Sequence, residues 1–211
     1  MKPYYEHAGI TIYHGDCREV LPQLDVPVMI FADPPYGVGF QYESHDDGRD
    51  GYEALIPTWF SALKCPQVCV TPGMDNFCLW PQPRWCIAWL KTNSMGANRL
   101  SGPMAVSRNL WEPIHWYGTY PKHPPSRDTL KAPLGDGRSN VDHPCPKPYL
   151  LMHQIVEIGT DPGDMVIDAF CGSGTTLEAA KLLNRRAIGI EIEEKYCEIA
   201  AKRLSQEVFQ F

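Results

Sequence analysis

Hydrophobic and polar positions along the chain follow two periods, one of strands and one of helices. Ile10-Thr11-Ile12-Tyr13 is a short β-type run ending at His14-Gly15-Asp16. Residues 17–24 place Val20, Leu21 and Leu24 at helical spacing. Residues 26–32 are a near-continuous apolar run that stops at Asp33-Pro34-Pro35-Tyr36. Such runs mark strands buried on both faces, as in a parallel sheet covered by helices. Residues 37–51 carry Gly37, Gly39, Gly48 and Gly51 among charges and read as a loop. Residues 52–64 read as a helix and 67–71 as another apolar strand.

The middle of the chain is less regular. Residues 84–91 and 112–117 predict strands, whereas 92–110 and 118–142 read as loops rich in Gly, Pro, Asn and Ser. From residue 148 regularity returns: a helix over 149–158, a turn at 159–163 and a strand at 165–170. A tight loop, Gly172-Ser173-Gly174, then opens a helix through Leu183, followed by a strand at 186–190 and a helix from Glu193 to about Gln206. Strand and helix in alternation predict right-handed crossovers and an open, doubly wound α/β sheet of Rossmann-like type.

Composition adds bounds. A chain of 211 residues with 44% hydrophobic and 21% charged residues fits one globular domain, with room for a modest insertion. A net charge of −6 argues, on its face, against a nucleic-acid binder. Its distribution changes that picture. Residues 82–148 hold 9 Lys/Arg against 4 Asp/Glu, while both flanks are acidic. A basic centre between acidic flanks suggests a local site for a polyanion. The 8 cysteines form no CxxC pair and match no common zinc spacing, so no metal is expected. No apolar stretch approaches the roughly 20 residues of a membrane span, and no leader is visible. A cytoplasmic protein with reduced thiols is expected.

Two segments carry candidate chemistry. In Asp168-Ala169-Phe170-Cys171-Gly172-Ser173-Gly174-Thr175-Thr176, glycines between a strand and a helix let backbone approach a ligand, and the helix start offers free N–H groups. Glu191 ends the next strand, where a carboxylate can accept from both hydroxyls of a ribose. The pair suits an adenosine-containing cofactor. Leu177 stands where a dinucleotide fingerprint wants a third small residue, and no P-loop GK[ST] is present.

Asp33-Pro34-Pro35-Tyr36 follows a buried strand, which places it in the ligand crevice of such a sheet. The prolines stiffen the backbone and remove two N–H donors. What remains is a set of acceptors, the Asp33 carboxylate and the Pro34 carbonyl, beside the flat face of Tyr36. This combination suits a planar group bearing an exocyclic amine.

With both motifs in place the chain resembles the β-arranged DNA amino-methyltransferases, which use S-adenosylmethionine. The family's DPPY is matched by residues 33–36 and its FxGxGTT-like loop by residues 170–176. Its HPTQKP-like element is matched by His143-Pro144-Cys145-Pro146-Lys147-Pro148, with Cys and Pro in place of Thr and Gln. Gly15-Asp16 and the run Gly189-Ile190-Glu191-Ile192-Glu193 also match. The order, DPPY before the cofactor loop, is the family's circularly permuted arrangement. The resemblance covers residues 10–71 and 143–205.

The resemblance implies a methyltransferase sheet whose catalytic half spans 1–91 and whose cofactor half spans 143–211. Residues 92–142 would be a small, loop-rich target-recognition insertion, and 37–51 a lid. It implies double-stranded DNA as partner, with the target base flipped out. Asp33 and the Pro34 carbonyl would bind the amine, with Pro35 and Tyr36 completing the catalytic set and Tyr36 stacking on the base. Glu191 would take the ribose, Asp16 the adenine amine, and Asp168 with Phe170, Cys171, Gly172, Ser173, Gly174 and Thr175 the methionine end. His143 and Lys147 would lie near the cofactor carboxylate. Arg99, Arg108, Lys122, Arg127, Lys131 and Arg138 are candidates for phosphates or guanine edges. Trp85, Trp89, Trp111 and Trp116 read as core, and His14 as structural. Asp rather than Ser at position 33 resembles the adenine-N6 members. Cytosine-N4 transfer, an RNA or protein amino-methyltransferase, and a non-catalytic remnant are the alternatives. A second copy of the chain and a restriction endonuclease are the further candidate partners.

Overall fold

The computed structural model describes residues 1–37, 39, 47–92, 109–134 and 146–205. The first half runs β1 (Tyr5–His7), β2 (Ile10–His14), α1 (Cys17–Val20), β3 (Met29–Ala32), α2 (Arg49–Ala62) and β4 (Gln67–Val70). Then come β5 (Trp85–Lys91), β6 (Trp111–Gly118) and β7 (Thr129–Ala132). The last third alternates α3 (Tyr149–Gly159), β8 (Met165–Asp168), α4 (Thr175–Leu182), β9 (Arg186–Glu191) and α5 (Glu194–Ser205).

The described strands form one sheet in the order β1-β2-β9-β8-β3-β4-β6-β5-β7. Its centre, from β2 to β4, is parallel. β1 joins it antiparallel at one edge, β6 and β5 run antiparallel in turn at the other, and β7 pairs parallel with β5. Successive residues of β3 go to opposite faces. Met29 and Phe31 join a core with Leu151, Met152 and Ile155 of α3, Leu177 of α4 and Cys197 of α5. Ile30 and Ala32 join a second core with Val20 of α1 and Tyr52, Ile56 and Trp59 of α2. A strand buried on both faces has no polar position to spare, which is why the apolar run over 26–32 was readable.

Three elements depart from the sequence expectation. β1 has one half-buried and two exposed residues, so it carries no apolar signature. It pairs through a turn at Ala8 and Gly9, both at positive φ. α2 begins at Arg49 rather than at residue 52, because Arg49 and Asp50 add helix but no hydrophobic signal. β7 lies in the stretch 118–142 expected to be loop, since its four residues gain their ladder from β5, distant in sequence.

Residues 92–142 also contribute to the sheet itself. β6 sits between β4 and β5 and buries five consecutive residues, 113–117. Among the described residues, no helix is long and apolar enough to cross a membrane.

Candidate active site

β8 and β3 are neighbours at the point where the chain winds apart. From β8 it proceeds through α4 to β9 on one side, and from β3 through α2 to β4 on the other. The carboxyl ends at such a switch point form a crevice. Phe31 pairs with Asp168, so Asp33 and Asp168 leave the sheet side by side. A cleft of about 330 Å³ opens there. Asp33, Pro34, Pro35 and Tyr36 line one side, and Asp168, Phe170, Cys171, Gly172, Ser173, Thr175 and Glu191 the other. Asp16, Arg18 and Lys147 line it as well. Leu55 and Trp59 of α2 add an apolar wall, with Trp59 packed edge-on against Phe170 at 5.4 Å.

The loop after β8 is held by main-chain donors. Asp168 Oδ1 accepts from the Phe170 N–H at 3.0 Å. Burial pushes the Asp168 carboxyl up to about 7; Asp33 and Glu191 add to the rise, and hydrogen bonds from Thr176 and Phe170 oppose it. Glu191 Oε2 accepts from Gly172 N–H at 2.9 Å and Oε1 from Glu193 N–H at 2.8 Å. Burial raises this carboxyl as well. Each oxygen keeps acceptor capacity, so a vicinal diol can still be bound. Gly174 caps α4 at φ 80, and an added Cβ would come 3.0 Å from Ala200 Cβ of α5. Glycine there serves both the turn and the helix packing.

Asp16 caps α1, accepting from Arg18 N–H at 2.8 Å, and the Arg18 guanidinium binds both of its oxygens. Those bonds hold the Asp16 carboxyl below the usual range. A further partner for Asp16 therefore shares it with a guanidinium. His14 Nε2 lies 3.0 Å from the Ile192 carbonyl, a contact between two strand ends.

The tetrapeptide is held differently. Asp33 Oδ1 accepts from Tyr36 Oη at 2.7 Å and from Thr71 Oγ1 at 2.5 Å. Lys147 Nζ donates to Asp33 Oδ2 at 2.6 Å and to Tyr36 Oη at 2.7 Å. Burial, then the Asp33 charge, pushes the Tyr36 hydroxyl well above its ordinary value. Lys147 was expected near a cofactor carboxylate. Its position just before α3 brings its ammonium onto Asp33 and Tyr36 of the tetrapeptide. His143 lies outside the described residues.

Four residues here escaped sequence reasoning. Thr71 holds Asp33, and the Asn76 amide donates to the Tyr36 carbonyl. Gly73, at φ +77, lies against the Tyr36 ring, where a Cβ would come within 3.2 Å. Asp47 accepts from Gly37 N–H at 2.7 Å, and its carbonyl accepts from Gly39 N–H. Their one signal was place: Thr71-Pro72-Gly73 is a turn at the carboxyl end of a buried strand.

The basic candidates divide by position. Lys122 sits at the opposite, amino-end edge of the sheet, bound to Asp161 at 2.8 Å and Asp164 at 2.6 Å just before β8. It is not brought to the cleft, because the turn after β6 returns to the start of β4. Arg127 is exposed before β7 and Lys131 is exposed on β7, the outermost strand. Arg99, Arg108 and Arg138 lie outside the described residues. Trp89 and Trp116 are core, Trp85 is half-buried, and Trp111 is exposed.

A family model described as DNA methylase matches residues 82–202. The Type II methyltransferase M2.DpnII of Streptococcus pneumoniae is 31% identical over 259 aligned positions, spanning 98% of this chain and 93% of that one. The Type II methyltransferase M.HinfI of Haemophilus influenzae is 26% identical over 93% of this chain and 68% of its own. A solved M1.HpyAVI–SAM complex superposes with a TM-score of 0.68 and 28% identity, covering 93% of this chain and all of that one. The PvuII DNA methyltransferase, cytosine-N4-specific, superposes at 0.73 with 16% identity, covering 99% of this chain and 91% of that one. That last likeness concerns the fold.

Proposed function

The chain belongs to the DNA methylase family, and from that premise we propose that it methylates the N6 amino group of adenine in double-stranded DNA. The observation that carries the choice of base is the Asp33 carboxylate at the head of the tetrapeptide, half-buried at the carboxyl end of β3.

The methyl donor is S-adenosylmethionine, the ligand of the M1.HpyAVI complex. The cleft fits it. Asp168 and Glu191 are held by neutral donors, which leaves their charge available to a ligand of net positive charge. When bound, the cofactor supplies an electrophilic methyl group on a sulfonium. Glu191 holds the ribose hydroxyls, and Asp168 with the loop 170–175 binds the methionine end.

The protein's remaining task is to present the amine. An exocyclic amine is a poor nucleophile because its lone pair is delocalised into the ring. Asp33 and the Pro34 carbonyl each accept one of its hydrogens, which favours a pyramidal nitrogen. Asp33 also stabilises the positive charge that develops there. Tyr36 supports the flipped ring, and stacking of that kind is worth about 1–3 kcal/mol per base.

Incubation with labelled cofactor and mixed-sequence duplex DNA, followed by nucleoside analysis, tests the reading. Label in N6-methyladenine is expected. Label in N4-methylcytosine, or none despite cofactor binding, overturns it.

A further inference from the structure

Lys147 has a second, more specific role in the geometry, which rests on the reading above. An ionised carboxylate offers about four lone-pair positions, two on each oxygen. On Asp33, Tyr36 Oη and Thr71 Oγ1 fill both positions of Oδ1. Lys147 fills one position of Oδ2 at 2.6 Å. One acceptor position is left. The Tyr36 hydroxyl is likewise used in both senses, donating to Asp33 and accepting from Lys147 at 2.7 Å.

Lys147, Asp33 and Tyr36 thus close a three-membered ring of hydrogen bonds. The ring joins two segments 114 residues apart. It is well shielded, with the Lys147 side chain 8% and the Asp33 side chain 18% exposed. Charge-assisted bonds in such a setting are short and directional. The other cation lining the cleft among the described residues, Arg18, is bound to Asp16.

We propose that Lys147 is a positioning residue for methyl transfer. By binding Asp33 and Tyr36 together, it leaves one acceptor position on Asp33 Oδ2, and that position receives the target amine. The second amine hydrogen then goes to the Pro34 carbonyl, to which no described residue donates. The result is a two-point grip that sets the direction of the nitrogen lone pair. Without Lys147 the carboxylate is held at Oδ1 alone, Oδ2 has two open positions instead of one, and the Tyr36 hydroxyl loses its donor. Misplacement on the scale of 1 Å costs a reaction of this kind roughly 10²-fold. Cofactor binding on the opposite wall is not touched.

The test compares wild type with Lys147→Ala and Lys147→Arg on duplex DNA, varying cofactor and DNA concentration separately. Cofactor affinity is measured in parallel by calorimetry. The expected result for Lys147→Ala is a kcat lower by roughly 10²-fold, with cofactor affinity and both KM values within about threefold of wild type. Lys147→Arg recovers part of the rate, and added ethylammonium restores Lys147→Ala in a saturable way. If Lys147→Ala does not fold, Thr71→Val serves, removing a different donor from the same carboxylate, with a smaller loss in kcat alone. An unchanged kcat overturns the proposal. So does a loss confined to cofactor affinity, which would put Lys147 at the cofactor carboxylate. A wild type that binds cofactor but methylates no DNA overturns the functional reading and this inference with it.

Discussion

The two walls of the cleft hold their carboxylates by opposite means. On the wall proposed for the cofactor, Asp168 and Glu191 are held by uncharged donors, the Thr176 hydroxyl and main-chain N–H groups of their own loop and of the residues just past β9. On the wall proposed for the amine, the donors to Asp33 among the described residues are side chains, those of Tyr36, Thr71 and Lys147. The donors to Asp168 and Glu191 carry no charge, so burial dominates there and both carboxyls titrate high. A wall of that kind is poised for a cationic ligand. The amine wall brings its own cation and has one acceptor position to spend, which suits a neutral amine that must be aimed rather than attracted.

The largest effect should separate the walls outright. Asp33→Ala should lower kcat by about 10³-fold while cofactor affinity stays within about threefold. Parallel loss of both would mean that the walls are not independent. Glu191→Ala should do the reverse. Two N–H groups lose a charged acceptor, and bonds of that class are worth about 1.5–3 kcal/mol each. Titration calorimetry should show cofactor binding weakened by about 10–100-fold, with kcat near wild type once cofactor saturates.

Smaller perturbations sharpen the contrast. Gly73→Ala forces a side chain into a left-handed conformation against the Tyr36 ring. It should cost about 1–2 kcal/mol in thermal or urea unfolding and about tenfold in kcat, without weakening cofactor binding. Acidity should act on the cofactor wall. In the ligand-free protein Asp168 keeps its proton up to about 7, against an ordinary 3.8. A cationic ligand needs the ionised form, so affinity should fall as pH drops below about 7, by at most about tenfold per pH unit for one proton. Asp168→Asn should flatten that profile. For folding the sign is opposite: the raised carboxyl makes its contribution to stability at low pH, and that contribution declines as pH climbs toward 7. The smallest effect belongs to Lys122→Ala, at the far edge of the sheet. Its ion pairs lie at the surface, where water and salt screen them, so the unfolding midpoint should barely move and the salt dependence of DNA binding should not change.

The same contrast explains what could be read in advance. The cofactor wall comes from residues 165–197, a continuous stretch of strand, glycine loop, helix, strand and helix, and its turn chemistry lies in adjacent residues. Asp168, Gly174 and Glu191 were therefore legible as a set. The tetrapeptide was legible too, because a buried strand ending in Asp-Pro-Pro-Tyr is a local statement. Its supports were not. Asp47, the stretch with Thr71, Gly73 and Asn76, and Lys147 reach it from three segments, and no spacing in one chain encodes that meeting. β7 was missed for the same reason, since its pairing with β5 is non-local.

The sequence by itself determined the buried strands, the order of the two motifs and the residue types that line the two walls of the cleft. Periodicity and turn chemistry act over a few residues, and both motifs are that short. Only the tertiary structure decided which donors reach Asp33 and which end of the sheet each basic residue occupies. Both depend on how strands distant in sequence pair and stack. The same folding brought Lys147 to Asp33 and left Lys122 bound to Asp161 and Asp164 at the opposite edge.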